Sequence, residues 1–273
     1  MSWPKSYIWW VDGHVGFVSV PFTWNLPEVR QLVTQGHMFV DEWHVGGPAC
    51  RLMPDYLAGI QGVYVNARLM GPVLNRFNPQ ATRTTIGCPR GCKFCGVSKI
   101  EPEWRELDDW PDLPILCDNN ITAASHEHFD RVMDKLERHK APDFNQGIDC
   151  RILTEHHAER LGRHRGIIVR LALDSPSEYD AWEEAWRKLR KYKTAKSRIR
   201  SYVLCAFNSG VDDAWERCQW VERHGALALP MWYHPLDSLE HNAVTDAQME
   251  RGWSRDKQKH IMGYYYQHRG EPL

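Results

Sequence analysis

The sequence contains no uninterrupted apolar run of the roughly 20 residues that a membrane-spanning helix needs, and its mean hydropathy is −0.55. A soluble chain with no membrane partner is therefore expected. Neither charge is in excess: 34 Lys and Arg stand against 35 Asp and Glu, a formal net charge of −1. No global field draws such a chain to nucleic acid, and a partner of that kind would have to be held by a local patch. Internal repeats and low-complexity linkers are lacking too, and 42% hydrophobic against 25% charged residues argues against disorder. The opening MSWPKSYIWWVDGH has no basic start followed by a clean apolar stretch, so no secretory leader is read and a cytoplasmic location with reduced thiols is expected.

What the sequence does have is a rhythm. From residue 84 onward, β-like runs return about every thirty residues, each followed by a helical pattern, as repeated βα units require. They lie at 84–86, 114–117, 144–149, 167–173, 200–207 and 228–233. Between them, Phe129, Val132, Met133 and Leu136 form one helical stripe behind a Ser125 cap, and Thr154 can cap the next helix. Ser175-Pro176-Ser177-Glu178 reads as a capping box opening a helix that carries Trp182, Trp186 and Leu189. Asp212 or Asp213 opens the last of these helices and Gly225 closes it.

Six such units predict an α/β fold with an open, partial (β/α)6 barrel over 81–240, whose reactive groups lie at the C-terminal ends of the strands. Residues 1–80 read as a small α/β appendage, with a strand at 15–20, a helix at 27–35 and a glycine-rich turn at 45–48 after another strand. Residues 241–273, rich in aromatics, read as a C-terminal helical cover or as rings that stack on a flat substrate.

Eight cysteines in a chain expected to be cytosolic point to metal or redox chemistry. Three are clustered: Cys88-Pro-Arg-Gly-Cys92-Lys-Phe-Cys95 has C-x3-C-x2-C spacing directly after the first predicted strand. A tight loop with Gly91 and Gly96 can wrap three thiolates around a [4Fe-4S] cubane and leave the fourth iron without a protein ligand. The alternatives are a zinc site completed by histidine or a purely structural cluster, although zinc sites usually show paired C-x2-C or C-x2-H elements, which are missing here.

This motif, with Phe94 at its aromatic position, resembles the signature of the radical S-adenosylmethionine (SAM) superfamily. The likeness spans about 80–240. It is closest to the branch with cobalamin-binding and methylthiotransferase-type members, through Thr84 to Cys95, Asp118-Asn-Asn-Ile-Thr122, Gly147-Ile-Asp-Cys-Arg151 and Tyr202-Val-Leu-Cys-Ala-Phe207. The resemblance implies that the open iron binds SAM, that one electron breaks its C5′–S bond, and that the resulting 5′-deoxyadenosyl radical abstracts hydrogen from a substrate. It implies an external electron donor of flavodoxin or ferredoxin type.

The resemblance also implicates the end of the second strand, Asp118, Asn119 and Asn120, in contacting the SAM amino group, where the superfamily more often has Gly-Gly-Glu-Pro. Gln146, Asp149, Arg151, Asp174 and Ser175 then fall to the methionyl carboxylate and ribose; their bland reading is ordinary caps and salt bridges. His44 to Ala49 resembles the Gly-Gly-Pro turn of cobalamin domains, but the segment is short and Asp12-Gly-His-Val-Gly16 is one residue short of the cobalamin motif, so a trimmed remnant without cobalamin is expected.

The substrate implied is a small molecule, probing no further than a nucleoside, modified base or nucleotide, with lyase or rearrangement chemistry. Rival readings are methyl or methylthio transfer, which needs cobalamin or a second cluster, and a non-catalytic iron-sulfur sensor. Cys117, Cys150 and Cys205 could approach one another but read as core residues. The pairs His126/His128 and His156/His157 read as exposed or cap-related. Residues 187–200 carry eight Lys/Arg and no acid, read as a solvated face, with a nucleic-acid backbone as the alternative.

Overall fold

The computed structural model describes residues 3–4, 6–36, 40–67, 69, 71–192 and 194–267, with side chains as far as 264. The fold is mixed α/β, and it divides into two units: 1–81 with 90–102 and 234–243, and 82–89 with 103–233 and 244–273.

The first unit is built on a four-stranded sheet in the order β1-β2-β3-β4, with strands β1 (Ile8–Asp12), β2 (Val15–Ser19), β3 (Glu42–Gly46) and β4 (Val63–Val65). Strands β1 and β2 form an antiparallel hairpin, while β2, β3 and β4 run parallel. Helices α1 (Leu26–Gln35), α2 (Pro48–Leu52), α3 (Val73–Phe77) and α4 (Val97–Ile100) complete the unit. Val18 and Val45 from the sheet pack with Leu26, Val29 and Val33 of α1 around Trp43. Gly16 is needed beside that ring, because a Cβ there would lie 2.4 Å from it. The glycine-rich turn has a similar cause: Gly47 sits at φ 101°, with Val20 O 2.7 Å from where a Cβ would be.

The second unit carries two three-stranded sheets and a two-stranded ribbon. Strands β5 (Ala81–Thr82), β8 (Ile115–Leu116) and β9 (Asp143–Phe144) form one sheet; β10 (Val169–Leu173), β11 (Ile199–Cys205) and β12 (Leu227–Trp232) form the other. Pairing is parallel between β8 and β9 and throughout the second sheet. Single parallel bridges, Asp143 to Ile168 and Ile148 to Leu171, join the two sheets. The predicted first strand, 84–86, is β6 (Thr85–Ile86) and pairs antiparallel with β7 (Arg105–Glu106) outside the three-stranded sheets; the strand beside β8 is instead 81–82, which was not predicted.

Helices α5 (His126–Leu136), α6 (Glu155–Arg163), α7 (Tyr179–Lys191) and α8 (Val211–Arg223) alternate with strands β8 to β12. Their caps explain their starts: Ser125 accepts from His128 N, and Thr154 forms a capping box with His157. Gly225 at φ 73° closes α8, with its N–H on Glu222 O. Two caps differ from expectation. Gly210 takes the cap position of α8, which places Asp212 and Asp213 inside its first turn, and Ser175 Oγ meets Ser177 Oγ at 2.6 Å instead of capping α7. The closing segment, α9 (Asp246–Met249) and α10 (Arg255–Gln267), is less a separate cover than part of this unit: Trp253, Ile261 and Tyr264 are buried in its core. Tyr265 and Tyr266 lie outside the described side chains.

Candidate metal centre and the polar layer at the strand ends

The cysteine motif straddles the division, with Cys88 in the second unit and Cys92 and Cys95 in the first. Cys92 and Cys95 sit on one turn, closed by Cys95 N donating to Cys92 O at 3.0 Å, with Phe94 half-buried between them. All three motif thiols are partly exposed, whereas Cys50, Cys117, Cys150, Cys205 and Cys218 are buried. Burial pushes the thiols of Cys117, Cys150 and Cys205 up to about 12, so they stay protonated and pack as small apolar groups. Among the described residues no three His, Cys, Asp or Glu side chains are grouped closely enough to hold a metal ion. In donor type the three fit an iron-sulfur cluster, and Cys88 has the amide donor that cluster sulfurs commonly take.

That donor is Asn120, whose Nδ2 lies 3.8 Å from Cys88 Sγ. Thr122 Oγ1 donates to Asn120 Oδ1 at 2.8 Å, which fixes the amide so that its NH2 faces the sulfur and, at 3.5 Å, Asp149 Oδ2. Asp149 in turn accepts from Arg151 Nε at 2.7 Å and from the Arg151 backbone at 3.2 Å. Arg151 continues to Glu178 Oε1 at 2.8 Å, and Glu178 Oε2 accepts from Asp174 N at 2.7 Å. One hydrogen-bonded line thus runs from a motif cysteine across the C-terminal ends of β8, β9 and β10.

No protein-family model and no curated protein matches this chain.

Asp174 lies in an acidic setting: burial first, and the Glu178 carboxylate second, raise its carboxyl to about 6. Arg217, fully buried on α8, holds the strand end beneath it by donating to Leu173 O and Asp174 O, each at 3.1 Å. With Asp149, Asp174 and Glu178 around Arg151, the layer offers carboxylates to a cationic ligand group and a guanidinium to an anionic one.

Asp118 is placed differently from its expected partners. Its carboxylate, 3% exposed, accepts from the backbone N–H and hydroxyl of both Thr84 and Thr85 at 2.6 to 2.9 Å. It braces the chain leading into Cys88, and Asn120 meets the cysteine itself. Asn119 is half-buried, Gln146 exposed and Ser175 half-buried. Glu178, Thr122 and Arg217 were missing from the expected set. Glu178 read as a cap, and Arg217 carries no local signal beyond its i,i+4 pair with Asp213. The histidine pairs are divided in the same way: His128 and His157 are buried, the first against Thr84 Oγ1 at 3.1 Å and the second as a cap residue, while His126 stacks on His156 at 4.3 Å.

Proposed function

We propose that this chain is a radical SAM enzyme with a partial (β/α)6 barrel in its second unit, holding a [4Fe-4S] cluster through Cys88, Cys92 and Cys95. The observation that carries the reading is the line Cys88, Asn120, Asp149, Arg151, Glu178: a motif thiol joined to charged groups at successive strand ends. A βα succession from β8 to β12 with parallel pairing supports the barrel. Bound there, a reduced cluster supplies one electron that cleaves S-adenosyl-L-methionine to methionine and a 5′-deoxyadenosyl radical, which takes hydrogen from the substrate.

The side chains have separate tasks. Asn120 donates to the Cys88 sulfur and so orients it. Asp149, Asp174 and Glu178 attract the ammonium of the SAM methionyl group, and Arg151, held by two carboxylates, fixes their spacing. Asp118 keeps the approach to Cys88 in place through Thr84 and Thr85. The substrate is of the nucleoside, modified-base or nucleotide class, and the electron comes from a flavodoxin- or ferredoxin-type donor.

Anaerobic protein incubated with SAM and dithionite is expected to release 5′-deoxyadenosine and to hold about four irons per chain. Iron without 5′-deoxyadenosine would replace the enzyme with a cluster-bearing sensor. A cobalamin spectrum, or iron well above four, would move the reaction to methyl or methylthio transfer.

A further inference from the structure

The basic run at 187–200 does not act as one piece in the fold. Its first half lies on α7 and is tied internally, Arg187 to Glu183, Lys188 to Glu184 and Lys191 to Glu155. Lys196 and Arg198 instead lie on the turn that leads into β11, where cations of the neighbouring loops meet them.

Four loops lead from α5, α6, α7 and α8 into β9, β10, β11 and β12, at the strand ends opposite the line from Asp149 to Glu178. Residues 138–142, 164–168, 192–198 and 224–226 contain no Asp or Glu. The loops touch in order. His164 Nε2 donates to His139 O at 2.8 Å, and a Cβ at Gly166 would strike Lys140 O. Arg198 Nη1 donates to Gly166 O at 3.4 Å, and a Cβ at Gly225 would lie 2.9 Å from Lys196 Cδ. Lys140, Arg165 and Lys196 are thus carried on one continuous rim.

Two cations of this rim are matched by acids: Arg138 pairs with Asp112 at 3.1 Å and Arg163 with Glu159 at 2.8 Å. Lys140, Arg165 and Lys196 are exposed and meet no carboxylate among the described residues. Cations near helix C-termini serve the helix dipole, but that effect fades within the last turn. Lys140 and Lys196 stand beyond it, on a chain whose net charge is −1. Unmatched positive charge gathered on one edge of a near-neutral chain makes a local field for a polyanion.

Among the described residues, no large apolar side chain of these loops is exposed. A lipid surface would take such side chains, and a protein interface would have an apolar centre. A phosphate backbone asks only for cations in a row. Adjacent strands lie about 4.8 Å apart, so the four loops span about 15 Å, over which a nucleic-acid strand places about four phosphates.

We propose that this rim binds a nucleic acid by its phosphates, without reading its sequence. It stands apart from the cluster reading and needs no iron.

The test is fluorescence anisotropy of the full-length chain with a labelled single-stranded RNA of mixed sequence, titrated over a range of KCl. Kd is expected to rise with salt at a log–log slope of about 3, as about four phosphate contacts require. Lys140→Gln, Arg165→Gln and Lys196→Gln together should weaken binding about tenfold or more at low salt and bring the slope down to about 1. Arg251→Gln, Lys257→Gln and Lys259→Gln remove the same charge from exposed positions around Trp253, at the other strand ends, and should change Kd less than about twofold. If the triple rim variant does not fold by circular dichroism, Lys196→Gln alone is read, with about threefold weaker binding expected. No binding by the parent at about 50 mM KCl, or equal losses in the rim and control variants, overturns the proposal. Rim-dependent binding to phosphatidylserine vesicles that exceeds binding to the RNA would assign the rim to a membrane and overturn it as well.

Discussion

In the second unit the charged side chains at the strand ends are tied to one another, Asp118 to Thr84 and Thr85, Asp149 to Arg151, Arg151 to Glu178. The first unit instead carries its reactive groups on a turn, the two motif thiols from Cys92 to Cys95. A tied network keeps its geometry when a ligand arrives, because its donors and acceptors are already oriented. Thiols on a loop need the metal to gather them. Oriented, mutually bonded polar groups thus mark the second unit, and partly exposed thiols on a turn mark the first.

The largest effect should come from the thiols. Cys88→Ala, Cys92→Ala and Cys95→Ala are each expected to abolish the iron-sulfur absorption near about 400 nm and all 5′-deoxyadenosine release. Full cluster content in any one of them would end the assignment. The contrasting set, Cys117→Ser, Cys150→Ser and Cys205→Ser, should keep about four irons per chain, because those sulfurs are buried. Loss of iron from a folded member of that set would call for a second cluster.

Next comes the brace. Asp118→Ala leaves two backbone amides and two hydroxyls of Thr84 and Thr85 without their acceptor in a buried place. A loss of about 2–4 kcal/mol in unfolding free energy is expected from denaturant titration. A change below about 0.5 kcal/mol would mean that water or another group replaces the carboxylate, and that the strand ends are less rigid than the comparison holds.

Asp174 gives a smaller effect with a definite sign. Its folded carboxyl titrates near 6, above the ordinary 3.8, so the native state binds the extra proton between those values. Stability from this group is therefore present below about pH 4 and is lost as pH rises to 6. Asp174→Asn should raise stability at pH 7 by about 1–2 kcal/mol, flatten that part of the pH profile, and weaken SAM binding. A variant less stable at pH 7 than the parent would contradict the electrostatic account.

The smallest effect should come from the basic run. Lys188 Nζ donates to Leu153 O and pairs with Glu184, Lys191 pairs with Glu155, and Arg190 donates to Thr194 O. Lys193 lies outside the described residues. With these charges paired internally, changing Lys188, Arg190, Lys191 and Lys193 together to Gln should cost about 1 kcal/mol or less and leave turnover nearly unchanged. Steep salt dependence of substrate affinity that flattens in this variant would instead bring in a nucleic acid.

Legibility followed locality. The helices of the second unit were readable because period and cap lie within a few residues, as in Ser125 with the stripe Phe129, Val132, Met133 and Leu136. Strand β1 was missed because Ile8 to Asp12 lies at the sheet edge with no buried residue, and its alternation runs only between half-buried positions such as Trp10 and exposed ones such as Trp9. Strand β4 is three residues long. At the site, the cysteine spacing was plain, but the partner of each polar residue was not. Asp118 finds Thr84 and Thr85 across more than thirty positions, and Glu178 finds Arg151 across 27. Caps and braces use the same residue types, and only the fold decides between them.

The two sheets of the second unit meet at a seam of two isolated bridges, where backbone bonds at Ile148 are supplemented by side chains: Arg170 reaches Asp143 and Phe144 O, and Tyr202 Oη donates to Asn145 O at 2.8 Å. A ladder interrupted in this way lets the halves open separately, so native-state hydrogen exchange should resolve them as two cooperative blocks. The block of β10, β11 and β12, with its continuous pairing, should exchange last. Asn120 and Asp149, at the ends of short strands on the other side, would then belong to the part of the unit that breathes first, and ligand binding there would be recorded as slowed exchange at Asn145 and Ile148.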